Sequence, residues 1–149
     1  MSEHPPGLPE GSEPASTGGF NLYIGPLYRL PDEEDGAVTR FAFIAAEKHM
    51  NAAGTVHGGM LMTFCDQVLG LTVRANAGTH AVVTVSLTCQ FVTAARPGNW
   101  IEGWAEIVHR AGRLIFIRGT LMSEGVPIMS SNGIWKQVRE PARREHSST

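Results

Sequence analysis

The segment with the most evident chemical potential is residues 51–66, which read NAAGTVHGGMLMTFCD. In it a glycine-rich turn, His57, Gly58 and Gly59, leads directly into a helical pattern of apolar residues. The first N–H groups of a helix have no partner inside the helix, and the helix dipole is positive there. Because glycine allows close approach, this turn could hold a carbonyl oxygen that becomes negative during a reaction.

Asp66 is the second residue of chemical interest, since it lies about two turns further along the same apolar helical stretch. A carboxylate in such a place is costly to bury unless it is solvated, paired or used. A structural ion pair with an arginine such as Arg74 is one alternative. Eight residues separate the two (74 minus 66), so direct i,i+4 pairing is excluded.

Motifs of other enzyme classes are missing from the sequence. It contains no phosphate-binding loop, no GxGxxG, HExxH or GxSxG motif and no pair of closely spaced histidines. Cys65 and Cys89 each lie in an apolar stretch without metal-ligand spacing, which predicts core packing rather than a nucleophile or a metal site. His49, His80 and His109 likewise show no ligand spacing, and the sequence assigns them no role.

Charge and hydropathy exclude further classes of function. Twelve Lys and Arg against fourteen Asp and Glu give a net charge of -2, which argues against a nucleic-acid binder. No stretch approaches the ~20 apolar residues of a membrane span, and the amino terminus lacks signal-peptide features. We therefore expect a cytoplasmic protein with no membrane partner. Its low charge content, 17%, hints at subunit interfaces.

The pattern along the chain predicts an α+β domain at residues 20–138, between a disordered arm (1–19) and a flexible tail (139–149). Apolar residues at helical spacing predict one long helix at residues 59–75. Period-two alternation and turn residues predict strands at 20–29, 37–46, 83–91, 101–110, 113–123 and 127–138. Short turns between the last four favour an antiparallel meander that buries the helix.

Several of these residues together are typical of one protein family. Asn51, the turn at His57, Asp66, the strand around Thr84 and the turn at 95–98 resemble hotdog-fold acyl-CoA thioesterases of the phenylacetate-degradation (PaaI-like) type, in the 4-hydroxybenzoyl-CoA thioesterase superfamily. The resemblance covers roughly residues 20–138. It implies a six-stranded antiparallel sheet wrapped around one long central helix. It also implies homodimers, paired into tetramers, with active sites between subunits.

The resemblance further implies roles for individual residues. The N–H of Gly58 would polarise the thioester carbonyl, and Asp66 of the partner subunit would act as nucleophile or general base on water. Asn51 and His57 would orient the thioester or the water, and Thr84 would assist the water. Asn51 as a turn residue, His57 as a helix cap and Thr84 as plain strand surface are the structural alternatives.

The implied substrate is an acyl-CoA with an aryl or medium-chain acyl group, and coenzyme A enters only as part of that substrate. Gly59, Arg96, Arg110 and Arg113 are the residues expected to bind substrate, the arginines through the CoA phosphates. No metal or redox cofactor is implied. The residues expected to decide the acyl group are Met50, Met60, Phe64, Phe91 and Trp100.

Two other functions remain compatible with the same fold. One is an enoyl-CoA hydratase or dehydratase, which requires a catalytic Asp–His or His–Glu pairing that the sequence does not display. The other is a non-catalytic acyl-CoA binding or sensor module. Hydration of an enoyl-CoA would identify the hydratase or dehydratase. Tight acyl-CoA binding without turnover would identify the binding module.

Overall fold

One antiparallel sheet and one long helix make up most of the chain. The computed structural model describes residues 5–15, 18–36 and 38–140. A 3-10 turn, Glu47–His49, precedes the long helix. The helices and strands in chain order are β1 (Glu13–Pro14), α1 (Asn21–Ile24), β2 (Tyr28–Arg29), β3 (Arg40–Ile44), α2 (Gly58–Ala77), β4 (Val82–Phe91), β5 (Trp100–Ala111), β6 (Leu114–Ser123) and β7 (Val126–Gln137).

The sheet contains seven strands in the order β1-β2-β3-β5-β6-β7-β4, and every neighbouring pair is antiparallel. The predicted α+β class with one central helix is confirmed. The predicted count of six strands is wrong, because β1 is added at one edge. The predicted meander is correct only for β5, β6 and β7. β4 pairs with β7 instead of β5, since α2 crosses the sheet and returns the chain at that far edge.

The amino-terminal arm differs from the disordered segment that its composition predicts. Leu8 is buried with Leu30 and Ala42, and the indole N–H of Trp100 donates to the Pro6 carbonyl at 3.0 Å. The main chain of residue 15 also bonds to Leu27. One apolar side chain and a few main-chain bonds attach the arm. Such isolated contacts produce no periodic pattern in the sequence, so the sequence does not predict them. The predicted tail falls mostly in residues 141–149, outside the described residues.

The first predicted strand, residues 20–29, is divided in the structure. Residues 21–24 form the short helix α1, and only Tyr28–Arg29 extend as β2. Phe20 and Tyr23 are strand-forming residue types, yet they remain 62% and 78% exposed. With no neighbouring strand to pair with, their intrinsic preference does not decide the local structure.

Helix α2 lies at the centre of the core. Its buried side chains follow a helical period and pack on residues from strands β3, β5, β6 and β7; they are Met60, Leu61, Phe64, Cys65, Val68, Leu69 and Val73. The phenyl rings of Phe64 and Phe43 meet edge to face, with centroids 4.7 Å apart. Gly78 ends the helix at φ +67°, a left-handed conformation that favours glycine, and its N–H donates to the Arg74 carbonyl.

Strand β4 is an edge strand with an interrupted alternation. A register shift between Thr84 and Ser86 places Val82 inside, whereas Val83 and Val85 are 46% and 55% exposed. The sequence predicts that Val83 and Val85 are on the buried face. The bulge reverses that alternation. It therefore leaves Thr84 on the side that faces α2.

Candidate active site

The turn before α2 holds its amide groups in the arrangement that a helix start requires. His57 is the cap residue, and its Nδ1 accepts a hydrogen bond from the Gly59 N–H at 2.8 Å. The His57 carbonyl accepts from the N–H groups of Met60 and Leu61. Within the described part of the chain, the Gly58 N–H has no acceptor. One main-chain donor at the positive end of the helix is therefore available to a ligand.

The ring of Phe91 lies next to Gly58. A Cβ atom built on Gly58 would lie 3.3 Å from Cε1 and Cζ of that ring, so a larger residue would press against Phe91. Phe91 is itself 54% exposed. The amide therefore lies beside an accessible aromatic surface.

Asp66 is half-buried and has a specific partner. The hydroxyl of Thr84, on β4, donates a hydrogen bond to Asp66 Oδ1 at 2.7 Å. Arg74, the structural alternative, lines the same small cavity of about 60 Å³. Among the ion pairs of the described residues none joins Arg74 to Asp66. Thr84 and Asp66 are thus brought together, and their roles toward water and thioester stay predictions.

Among the residues that the structure describes, Asn51 bonds only within its own turn. Its Oδ1 accepts from the N–H groups of Ala53 and Thr55, at 2.9 and 3.1 Å, and its Nδ2 donates to the Thr55 hydroxyl. These bonds are those of a residue that holds a turn. A role toward substrate stays a prediction.

The donor and the carboxylate are separated along α2. Asp66 lies eight positions after Gly58 (66 minus 58), which corresponds to about 12 Å of helix. Reacting groups must come within about 3–3.5 Å of a substrate atom. Along one helix, the two groups are therefore too far apart to act on the same thioester carbonyl.

The three arginines expected at the CoA phosphates do not form one cluster. The Arg110 guanidinium donates to the Asn76 carbonyl at 3.0 Å, near the carboxyl end of α2, and Arg113 is in the β5–β6 turn. Arg96 is exposed at the other end of the helix, next to Ala95, whose carbonyl accepts from the Val56 N–H. Only Arg96 therefore lies close to the turn at Gly58.

His49 is a structural link that the sequence analysis missed. It is 5% exposed, and its Nε2 bonds to the Ile24 carbonyl at 2.7 Å while Nδ1 accepts from the Ala46 N–H. Its own carbonyl accepts from the His57 N–H at 2.8 Å. Burial lowers the pKa of His49 against the opposing effect of the Ile24 bond, with Lys48 lowering it further. A lone histidine without ligand spacing gave no signal for this role.

Comparison with known proteins gives the family. The sequence profile of the thioesterase superfamily matches residues 53–129, which is more than half of the chain. A protein of Pseudomonas aeruginosa whose name describes it as a candidate esterase is 31% identical over 130 residues, covering 86% of this chain and 96% of its own length. The chain belongs to the thioesterase superfamily. It is accordingly a thioester hydrolase.

Solved structures show that this superfamily member has the hotdog fold of its relatives. Zebrafish thioesterase superfamily member 2 aligns with a TM-score of 0.72 at 22% identity, over 83% of this chain and 90% of that one. The phenylacetic acid degradation protein PaaI of Thermus thermophilus, solved as a mutant, gives 0.69 at 22%, over 80% and 98%. A Streptococcus pneumoniae thioesterase solved with coenzyme A gives 0.63 at 18%, over 74% and 86%.

The part matched to the superfamily includes Gly58, Asp66 and Thr84 but begins after Asn51.

The matched part also includes Cys65, whose Sγ donates to the Ser131 hydroxyl at 3.1 Å. Burial, the largest of several causes, raises the pKa of the Cys65 thiol to about 12. A thiol that stays protonated is a poor nucleophile, so Cys65 is a packing residue of this thioesterase.

The part of this thioesterase that the structure describes contains neither a metal-binding cluster nor a membrane-spanning helix. No group of three or more His, Cys, Asp or Glu side chains there could hold a metal ion. Nor is any described helix long and apolar enough to cross a membrane.

Proposed function

We propose that this thioesterase hydrolyses acyl-CoA thioesters with an aryl or medium-chain acyl group to the free acid and CoA. The observation that carries the proposal is the half-buried Asp66 carboxylate, held by the Thr84 hydroxyl at 2.7 Å on the helix that begins with the available Gly58 N–H. A hydrolase for thioesters needs a donor for the carbonyl oxygen and a carboxylate for attack or proton transfer. The chain supplies both.

The reaction follows from these two groups by either of two routes. As general base, Asp66 takes a proton from water while the water oxygen attacks the carbonyl carbon. The C–S bond then breaks, and the CoA thiolate receives that proton. As nucleophile, the carboxylate oxygen attacks and releases CoA, and water hydrolyses the resulting anhydride. In both routes the Gly58 N–H stabilises the negative carbonyl oxygen. Asn51 and His57 hold the turn and orient the thioester or water, and Gly59 lies beside the bound substrate.

The separation of about 12 Å within one helix argues for a site shared by two chains. β4 is an edge strand, and Val83 and Val85 on it are exposed, which makes it suited to pairing with a second copy. A two-fold axis there would bring the α2 helices side by side. Gly58 of one subunit and Asp66 of the other would then form each site, and two such dimers would form the tetramer.

Arg96 is the arginine best suited to meet the CoA phosphates of a thioester held at Gly58. It is exposed at the same end of α2. Arg110 and Arg113 lie at the opposite end of α2, so they would reach this substrate only from the partner subunit. The Streptococcus pneumoniae relative was solved with coenzyme A, which is consistent with a CoA thioester as substrate.

The deciding experiment follows release of the CoA thiol from phenylacetyl-, benzoyl- and medium-chain acyl-CoA. We expect the native protein to turn over at least one of them, and Asp66→Asn to lower kcat by about a hundredfold or more, because the amide neither attacks nor accepts the proton. Asp32→Asn, which changes an exposed carboxylate paired with Arg29, is the control and should keep native activity.

Other outcomes contradict parts of the proposal. Native-level turnover by Asp66→Asn would support the thioesterase activity but show that a group other than Asp66 attacks or accepts the proton. Tight acyl-CoA binding with no thiol release would indicate a binding module. Loss of enoyl-CoA absorbance without thiol release would indicate a hydratase.

A further inference from the structure

A cavity of about 280 Å³ lies between α1 and the first turn of α2. His57 and Gly59 line one side of it, so it is adjacent to the Gly58 amide. Aromatic and thioether side chains, Phe20, Tyr23, Met50 and Met60, line much of the rest. Such side chains favour an apolar ligand, and sulfur–aromatic contacts add to the attraction.

Two basic residues at this cavity, Lys48 and His49, bond to main-chain carbonyls of the segment around α1. The Lys48 ammonium donates to the Gly25 carbonyl at 2.5 Å, and His49 bonds to the Ile24 carbonyl. An ammonium has three N–H donors, so Lys48 keeps two beyond this bond. An uncharged acyl group would be recognised by the aromatic and thioether side chains of the lining rather than by these two residues.

The α1 wall is fixed relative to the start of α2. Besides the bonds from Lys48 and His49, the Asn21 side chain donates to Gln67 Oε1 at 3.2 Å, on α2 next to Asp66. The His49 carbonyl in turn accepts the His57 N–H. The wall and the proposed carbonyl clamp therefore hold a constant spacing.

We propose that this cavity receives the acyl group of the thioester and that Tyr23, together with Phe20, determines which acyl groups fit. This inference rests on the proposed function. Phe20 and Tyr23 lie three residues apart, so they share one face of the short helical turn, and Leu22 points to another. At about 280 Å³ the cavity is near the small end of ligand pockets, so it takes a compact acyl group.

The assignment divides the five residues expected to decide the acyl group. Met50 and Met60 line the cavity, and Phe91 lies next to Gly58. Phe64 is buried against Phe43, and Trp100 bonds to the amino-terminal arm. Tyr23 gave no signal in the sequence.

The test compares native protein, Tyr23→Ala and Leu22→Ala on straight-chain acyl-CoA thioesters of increasing length. While methylene groups enter the cavity, kcat/KM should rise by about fourfold for each one and then level off. Tyr23→Ala removes part of the wall, so kcat/KM should stop rising only at a longer acyl chain than in native protein. The ratio of kcat/KM for long over short chains should increase by about tenfold. Leu22→Ala changes a neighbouring exposed residue (65% against 78% for Tyr23) that lies outside the lining, so it should leave this ratio unchanged.

Two results would overturn the assignment. An equal change for every acyl length in Tyr23→Ala would mean that the tyrosine does not contact the acyl group. An effect of Tyr23→Ala that disappears with acyl-cysteamine thioesters, which lack most of CoA, would mean that the cavity holds the pantetheine arm.

A second readout separates this inference from the proposed function. If native protein releases no thiol from any thioester, the proposed function fails, and calorimetry with S-alkyl-CoA thioethers tests the cavity alone. Affinity should then rise with alkyl length and shift to longer chains in Tyr23→Ala. Affinity independent of alkyl length would refute the cavity assignment.

Discussion

At the residue scale, the contact between Thr84 and Asp66 is the most specific feature of the site. A hydroxyl that donates to a carboxylate fixes the orientation of the carboxylate and leaves its second oxygen for water or a thioester. Thr84 could also be read as plain strand surface from the sequence. Its place opposite Asp66 depends on the bulge after it, which no local pattern reveals.

Replacing the Thr84 hydroxyl should weaken catalysis without unfolding the protein. A hydrogen bond to a charged group contributes about 1.5–3 kcal/mol, so Thr84→Val should lower kcat by about ten- to a hundredfold. Thr84→Ser keeps the hydroxyl and should keep most of the activity. Steady-state kinetics of thiol release measures both. Equal kcat for Val and Ser variants would assign Thr84 to strand surface.

At the element scale, the 3-10 turn that contains His49 connects α1, β3 and α2. The imidazole of His49 packs edge to face on Phe43 and bonds to the Ile24 carbonyl, and the His49 carbonyl accepts the His57 N–H. Three elements distant in sequence thus meet at one buried residue. Burial favours the neutral ring there, and this lowers the pKa of His49.

This arrangement predicts a stability that depends on pH. The pKa of His49 is lower in the folded protein than the ordinary 6.5 of the unfolded chain, so the unfolded state binds the proton first as the pH falls. The free energy of unfolding should therefore decrease from about pH 7 to pH 5, by at most about 1.4 kcal/mol per pH unit from this group. Urea unfolding at each pH measures it.

His49→Gln is the variant for that measurement, since it keeps a donor for the Ile24 carbonyl but has no titrating ring. The decrease below pH 6.5 should be smaller in this variant than in native protein. His80→Gln, which replaces an exposed histidine, is the matched control and should follow the native curve. A His49→Gln curve parallel to the native one would show that another group titrates.

At the scale of the whole molecule, the proposed site between two subunits would account both for the distance from Gly58 to Asp66 and for the exposed edge strand β4. The Gly58 amide and the Asp66 carboxylate cannot reach one carbonyl within a single helix, and β4 offers a surface for a second chain. In a dimer of that kind, each site would take its donor from one subunit and its carboxylate from the other.

Mixing two inactive variants tests this shared site. Gly58→Pro removes the N–H at the first helical position, where proline is tolerated, and Gly58→Ala is the control that keeps the N–H. Both add a Cβ atom against Phe91. Refolding Gly58→Pro together with Asp66→Asn should restore about one quarter of native activity, because half of the random dimers are mixed and each has one intact site.

The readout is thiol release from the co-refolded mixture, with each variant refolded alone for comparison. Activity no higher than the sum of the separate variants, in mixtures shown by sedimentation to contain dimers, would locate both groups in one subunit. A native protein that sediments as a monomer would exclude the shared site.

Local patterns in the sequence suffice to predict the long helix, its glycine-rich start, the odd carboxylate on it and most of the strands. Each of these is either a hydrophobic period or a residue type at odds with its neighbours. From them, the α+β class could be predicted, and the resemblance that these residues carry gave the family. The pairing of Gly58 with Asp66 stays a prediction. The helix is observed at 58–77 where 59–75 is predicted, which is a difference of frayed ends.

The way distant segments meet is visible only in the folded chain. There β4 lies at the far edge beside β7, Leu8 attaches the arm, α1 forms within a predicted strand, and Thr84 lies opposite Asp66. Asn51 bonds within its turn, and Arg96 is separated from Arg110 and Arg113. These features depend on strand pairing, bulges and main-chain partners far apart in sequence, which leave no periodic trace in the residues themselves.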